Sequence, residues 1–214
     1  MSFQTIFDIQ QSMTVNTRRT IGQMFSRSGQ ATVAQYLTTV PWVFTVTPHN
    51  YLYYPQVRDV IQSIDNADRQ LPQTITFSSS NLSWFTAYKG ELTTAQANAL
   101  TLASVPAANA TTISIGNVPA GSASTVVFAA GDFIQIGAYV YKVTAQVLRT
   151  STTVSVTIHR PIIGTPSTGT LTAVGSACYW SVIATSCPTY TLTPMTNGAF
   201  VNWDSPFSFR EYIT

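Results

Sequence analysis

The chain has 214 residues, of which only 8% are charged, with two Lys, two Glu and a formal net charge of +2. That charge is too small to imply a nucleic-acid or membrane-surface partner, and no apolar run approaches the roughly 18 residues needed to cross a bilayer. A surface so poor in Lys and Glu, against roughly 25% charged residues in ordinary soluble proteins, is prone to associate unless neighbours cover it; the composition therefore points to a subunit of an assembly.

The first segment, Met1-Ser-Phe-Gln-Thr-Ile-Phe-Asp, has no basic region followed by a long apolar stretch, so it does not read as a signal peptide. Phe3, Ile6, Phe7 and Ile9 give it an apolar side, and the period leaves strand or short docking segment open. The chain is organised around 13–47. Two β-rich arms meet at Ser26-Arg27-Ser28-Gly29, where Gly29 can supply the positive φ of a turn. A third strand is expected to close the set, with Trp42, Phe44 and Val46 on one face and Val43, Thr45 and Thr47 on the other. Arg18, Arg19 and Arg27 lie on the first arm; as neighbours on a strand, Arg18 and Arg19 point to opposite faces, so at least one should meet a partner across an interface. Phe25-Ser-Arg-Ser-Gly29 lacks the first glycine of a nucleophile elbow.

Tyr51, Tyr53 and Tyr54 precede a helix predicted over 55–71, where Val57, Val60, Ile61 and Ile64 recur at helical spacing and Pro72 sets the stop. Strands are predicted at 74–77 and 84–88, and a single helical turn at 93–99. Tyr51, Tyr53 and Tyr54, with Trp84 and Tyr88, read as interface or core anchors in preference to a sugar-stacking surface. An Ala/Ser/Thr-rich stretch follows, with a short strand at 111–115. Phe133 to Ile136, Tyr139 to Val147 and Val154 to Ile158 alternate as a three-stranded meander. Cys178, Trp180, Val182 and Ala184 line one face of a later strand; further strands fall at 189–192, 200–203 and in the tail from Pro206. The division expected is 1–89 plus 176–214 as one discontinuous β domain, with 90–175 inserted as a second, small one.

No catalytic, metal or cofactor set emerges. His49 and His159 are far apart in sequence and read as surface or structural residues; Cys178 and Cys187 are nine apart without a nearby His and are expected to be reduced. The acids at 59, 65 and 68 do not have calcium-loop spacing, and nothing nominates a carboxylate pair for glycoside hydrolysis. The triplets at Asn81 and Asn109 match a glycosylation acceptor but carry little meaning without a secretory signal.

The run Phe3-Gln-Thr-Ile-Phe-Asp-Ile through Thr17-Arg18-Arg19, then Ser26-Arg27-Ser28-Gly29 and Pro41-Trp42-Val43-Phe44-Thr45-Val46, resembles tail structural proteins of contractile-tailed bacteriophages, as do Gly131-Asp132-Phe133-Ile134-Gln135-Ile136-Gly137, Tyr141-Lys142-Val143 and His159-Arg160-Pro161. The resemblance implies a mainly β, tail-tube-like β-sandwich or barrel with one flanking α-helix and a second, inserted small β domain. It implies a non-enzymatic subunit without cofactors, in a hexameric ring at the baseplate or distal end of the tail tube. Its partners would be copies of itself and other tail and baseplate proteins, with no membrane and DNA met at most through a tube lumen. It would be made in the host cytoplasm and reside in the virion. The interface residues expected are Arg18, Arg19, Phe25, Arg27, Tyr51, Tyr53 and Tyr54; the alternative is a carbohydrate-binding host-recognition module at the tail tip.

Overall fold

The computed structural model describes residues 2–18, 21–35, 40–66, 71–169 and 171–214. It is mainly β, with 40% of residues in strands and 14% helical. Helix α1 (Ser2–Asp8) opens the chain. Phe3, Ile6 and Phe7, at i, i+3 and i+4, are fully buried, so the apolar period here is helical. Strand β1 (Gln10–Asn16) precedes the hairpin β2 (Ile21–Phe25) and β3 (Ala31–Gln35), which pair in register from Ile21↔Gln35 to Phe25↔Ala31. Gly29 turns the hairpin at φ 82°, its N–H donating to the Ser26 carbonyl, while Ser26 Oγ accepts from the Gln30 N–H.

Strand β4 (Val43–Pro48) has the predicted faces: Trp42, Phe44 and Val46 are buried and Val43, Thr45 and Thr47 half-buried. Its neighbours among the described residues are not the hairpin, however, but β1 and the last strand of the chain. Strand β5 (Leu52–Tyr53) leads into α2 (Tyr54–Asn66), which buries Val57, Ile61 and Ile64 and exposes Arg58 and Asp59. Residues 67–70 of the predicted helix lie outside the described residues, and Leu71 is not helical.

After β6 (Gln73–Thr76), residues predicted as a strand form the helical turn α3 (Ser83–Thr86). Thr86 is buried and Phe85 packs on Phe133 at 5.2 Å, so side-chain anchors, not a ladder, hold this turn. Helix α4 (Thr94–Asn98) starts at a capping box: Thr93 Oγ1 accepts from the Gln96 N–H and the Gln96 side chain accepts from the Thr93 N–H. With four α-helical segments among the described residues, the expectation of a single helix is corrected.

The middle of the chain is built from short strands: β7 (Thr101–Leu102), β8 (Thr112–Gly116), β9 (Val126–Phe128), β10 (Phe133–Ile136), β11 (Tyr139–Lys142), β12 (Val147–Leu148), β13 (Val154–Thr157) and β14 (Leu171–Val174). The predicted meander is corrected. β10 and β11 do form a hairpin, but the run 139–147 breaks into β11 and β12, and β13 pairs with β8. Only an isolated bridge, Val143↔Ile158, joins the two runs expected to pair. Alternation specifies which face a residue takes, not which strand lies beside it. β15 (Tyr179–Ser186), β16 (Tyr190–Met195), β17 (Gly198–Trp203) and β18 (Phe207–Glu211) complete the chain.

The chain divides into two compact units. The first comprises 1–17, 41–82 and 179–214. Its five-stranded antiparallel sheet has the order β1-β4-β18-β15-β6, and a second sheet has the order β16-β17-β5. An aromatic layer fills its core: Phe7 meets Phe44, Phe77 and Phe209 with centroids 5.1–5.8 Å apart, and Trp180 meets Trp42, Phe44 and Phe77 at 5.0–6.0 Å, mostly edge to face. The second unit comprises 18–40 and 83–178 and so includes the β2–β3 hairpin. Its core is mainly aliphatic, drawn from Leu100, Ile113, Ile115, Val127, Ile134, Val154, Val156 and their neighbours, with Phe128 and Tyr141 among them.

Candidate functional site

The interface residues expected from sequence fall in both units. In the second, the hairpin tip presents Met24 and Phe25 at 72% and 70% exposure, with Arg27 exposed in the turn. Large apolar side chains exposed to this degree, on opposite faces of the hairpin as strand neighbours, lack the burial that normally stabilises them. Arg18 is exposed just after β1, and Arg19 lies outside the described residues.

The three tyrosines of the first unit play different parts. Tyr51 is 69% exposed and sits at φ 61°, a region a bulky residue rarely adopts. It is held there by its N–H donating to Asn202 Oδ1 (3.1 Å) and by an edge-on contact with Phe200. Tyr53 donates its hydroxyl to the Asn197 carbonyl (2.6 Å), and its ring covers Gly198, where a Cβ would stand 2.4 Å from a ring carbon. That glycine is therefore required by the close approach of the ring. Tyr54 packs against Val57, Ile61 and Val201. Tyr53 and Tyr54 thus tie β5 and α2 to β17, and Tyr51 is the most exposed of the three.

The five-stranded sheet treats its two edges differently. At β6 the Gln4 side chain of α1 acts as a substitute strand: its Oε1 accepts from the Thr76 N–H (2.8 Å) and its Nε2 donates to the Thr76 carbonyl (3.0 Å). Gln73 Oε1 accepts from the Phe3 N–H in the same seam. A side-chain amide filling both hydrogen-bonding positions of an edge residue blocks strand addition there. At the other end β1 pairs on one side only, with β4, among the described residues, and its Gln11, Ser12, Thr14 and Asn16 are exposed. Sequence reasoning missed Gln4; the i, i+3, i+4 spacing of Phe3, Ile6 and Phe7 is the signal that places it on a helix.

The residues weighed for chemistry have structural partners. His159 Nδ1 accepts from the Lys142 N–H (3.0 Å), and His49 is exposed. No disulfide joins Cys178 to Cys187; burial pushes the Cys178 thiol up to about 12, the opposite of an activated thiolate. Asp132, 1% exposed, accepts from the backbone N–H groups of Lys89 (2.9 Å) and Ala129 (2.8 Å), and burial raises its carboxyl above the ordinary Asp range. Glu211 Oε2 accepts from the Trp42 N–H (3.0 Å). Among the described residues no three His, Cys, Asp or Glu are grouped to hold a metal ion, and no helix is long and apolar enough to cross a membrane.

Each unit carries an open cleft. One of about 350 Å³ in the first unit is lined by Pro41, Ile183, Arg210 and Tyr212 among others. In the second unit, one of about 560 Å³ is lined by Trp84, Tyr88 and a set of Ser and Thr residues. Trp84 and Tyr88 therefore belong to a different unit from Tyr51, Tyr53 and Tyr54. No protein-family model matches the chain, and no curated protein is significantly similar to it.

Proposed function

We propose that the chain is a non-enzymatic structural subunit of a phage tail. It forms a hexameric ring at the baseplate or distal end of a tail-tube-like assembly and joins the tube to peripheral baseplate proteins. The observation that carries this reading is the β2–β3 hairpin, which holds Met24 and Phe25 out into solvent beside Arg27. Burying those two side chains against a neighbour gains about 1.5–3 kcal/mol each. The sheet edges bear on how copies join: β6 is closed by Gln4 and β1 has one strand neighbour among the described residues, so a strand added from a neighbour would pair at β1. Two β1 edges pairing with each other would give a two-fold dimer, so a ring requires the hairpin tip to meet a different surface of the next copy. The low charge of the chain fits a surface that neighbours cover.

The test is the mass and shape of the purified full chain, by light scattering and negative-stain imaging. Rings of uniform size are expected, and Phe25→Asp or Arg27→Glu is expected to disperse them. A soluble monomer at high concentration, or rings indifferent to both substitutions, would overturn the reading.

A further inference from the structure

We propose that the cleft around Trp84 in the second unit is a binding site for a neutral saccharide, one face of a pyranose ring stacking on the indole. Trp84 is 68% exposed on α3, although an indole is among the side chains with most to gain from burial. Its exposure is not slack: the ring stands edge-on to Phe85 (6.1 Å), which is itself packed on Phe133 (5.2 Å). The cleft beside it, about 560 Å³, falls in the range of small-ligand sites.

The lining chooses the ligand class. Ser83, Thr93, Thr94 and Ser176 contribute hydroxyls, and no Lys, Arg, Asp or Glu is among the lining residues described. A phosphate or carboxylate ligand would find no cation there, and a cationic one no acid. A protein partner's apolar knob would have to strip water from a ring of hydroxyls without replacing their hydrogen bonds. A neutral sugar meets both demands, with its C–H face on the indole and its hydroxyls exchanging hydrogen bonds with the rim.

The site is also built in advance. Tyr88 donates its hydroxyl to the Val127 carbonyl, and burial pushes that hydroxyl up to about 12, so the bond that fixes its ring is kept. Two glycines make room for it: a Cβ at Gly90 would lie 2.2 Å from Tyr88 Oη, and one at Gly175, already at φ 65°, would lie 2.9 Å from Tyr88 Cβ. The capping box at Thr93 fixes the α4 side of the rim. A pocket held in its binding shape loses little ordering entropy when filled.

This site stands whether or not the chain forms rings. The full chain is titrated with neutral gluco-, galacto- and manno-oligosaccharides by calorimetry and indole fluorescence. At least one series is expected to bind. Trp84→Ala should weaken binding at least about tenfold, equivalent to about 1.4 kcal/mol, Trp84→Phe should weaken it less, and Ser176→Ala should cost a smaller factor. Circular dichroism confirms that each variant folds. The proposal is overturned by any of four results: no neutral series binds; Trp84→Ala binds as the parent does; a uronate-bearing sugar binds more tightly than its neutral counterpart; or Trp84→Ala changes the oligomeric mass without changing sugar binding.

Discussion

The two units bury comparable β structure with different side chains, and strand length explains the difference. In the first, β1, β4, β15 and β18 run for five to eight residues. Long ladders pair much of the backbone, and the core is a layer of rings in which Phe7, Phe44, Phe77, Trp180 and Phe209 interlock. In the second, the strands are two to five residues long, and much of the backbone lies outside any ladder. Buried backbone groups still need partners, and side chains supply them. Arg160, fully buried, donates to the Val40 and Val140 carbonyls and lies over the Tyr141 ring. Arg149 donates to the carbonyls of Pro119 and Gly121, and Asp132 accepts from two N–H groups. Rings dominate the core of the first unit; side-chain staples occur in both, Gln4 and Glu211 in the first and Arg160, Arg149 and Asp132 in the second.

The largest test of this contrast is Trp180→Ala. Removing a fully buried indole should cost about 3–5 kcal/mol, read by urea unfolding, with amide-exchange protection lost first in β4, β15 and β18. A loss under about 1 kcal/mol, outside the usual range for a buried aromatic, would break the comparison. Next is Arg160→Met, which keeps bulk but leaves two buried carbonyls without these donors, an expected loss of about 2–3 kcal/mol. Arg160→Lys should recover little, because a single ammonium lacks the fork that reaches both carbonyls.

Asp132→Asn sharpens the picture through its pH dependence. Burial raises the folded carboxyl above its unfolded value, so the folded state holds the proton to higher pH. The stability this contributes is fully present below the unfolded value and is lost as pH rises through the folded one. The advantage of the parent over Asp132→Asn should therefore be greatest at the acid end and shrink toward neutrality, measured by urea unfolding across that window; a gap that widens with pH would reverse the assignment. The smallest effect expected is Thr93→Ala, about 1 kcal/mol for a lost helix cap.

The rings were legible in the sequence and the staples were not. Period-2 alternation placed Trp42, Phe44 and Val46, and again Cys178, Trp180 and Val182, on buried faces, and Gly29 marked the hairpin turn. Alternation is a local property, and the chain reports it directly. Strand neighbours are not local: β13 lies against β8, about forty residues back, and no pattern in either names the other. The staples are less visible still, since an Arg bonded to a carbonyl across 120 residues looks like any surface Arg. The Trp84 cleft divides the same way. Trp84 and Tyr88 stood out only within a group of five aromatics read as anchors, the other three of which lie in the first unit, and Thr93 and Ser176 are brought to them only by the fold.

The seam at β6 has a chemical consequence. Gln4 shuts that edge because its amide offers one acceptor and one donor to Thr76, and the donor also reaches Asp8 Oδ1 at 3.2 Å. Hydrolysis of that amide, water adding its oxygen to the carbonyl carbon as ammonia leaves, would replace the donor with a second carboxylate oxygen, facing a carbonyl and an acid. The atoms that seal the sheet would then repel it, turning an ageing reaction at one side chain into an exposed strand ready to pair with whatever lies near.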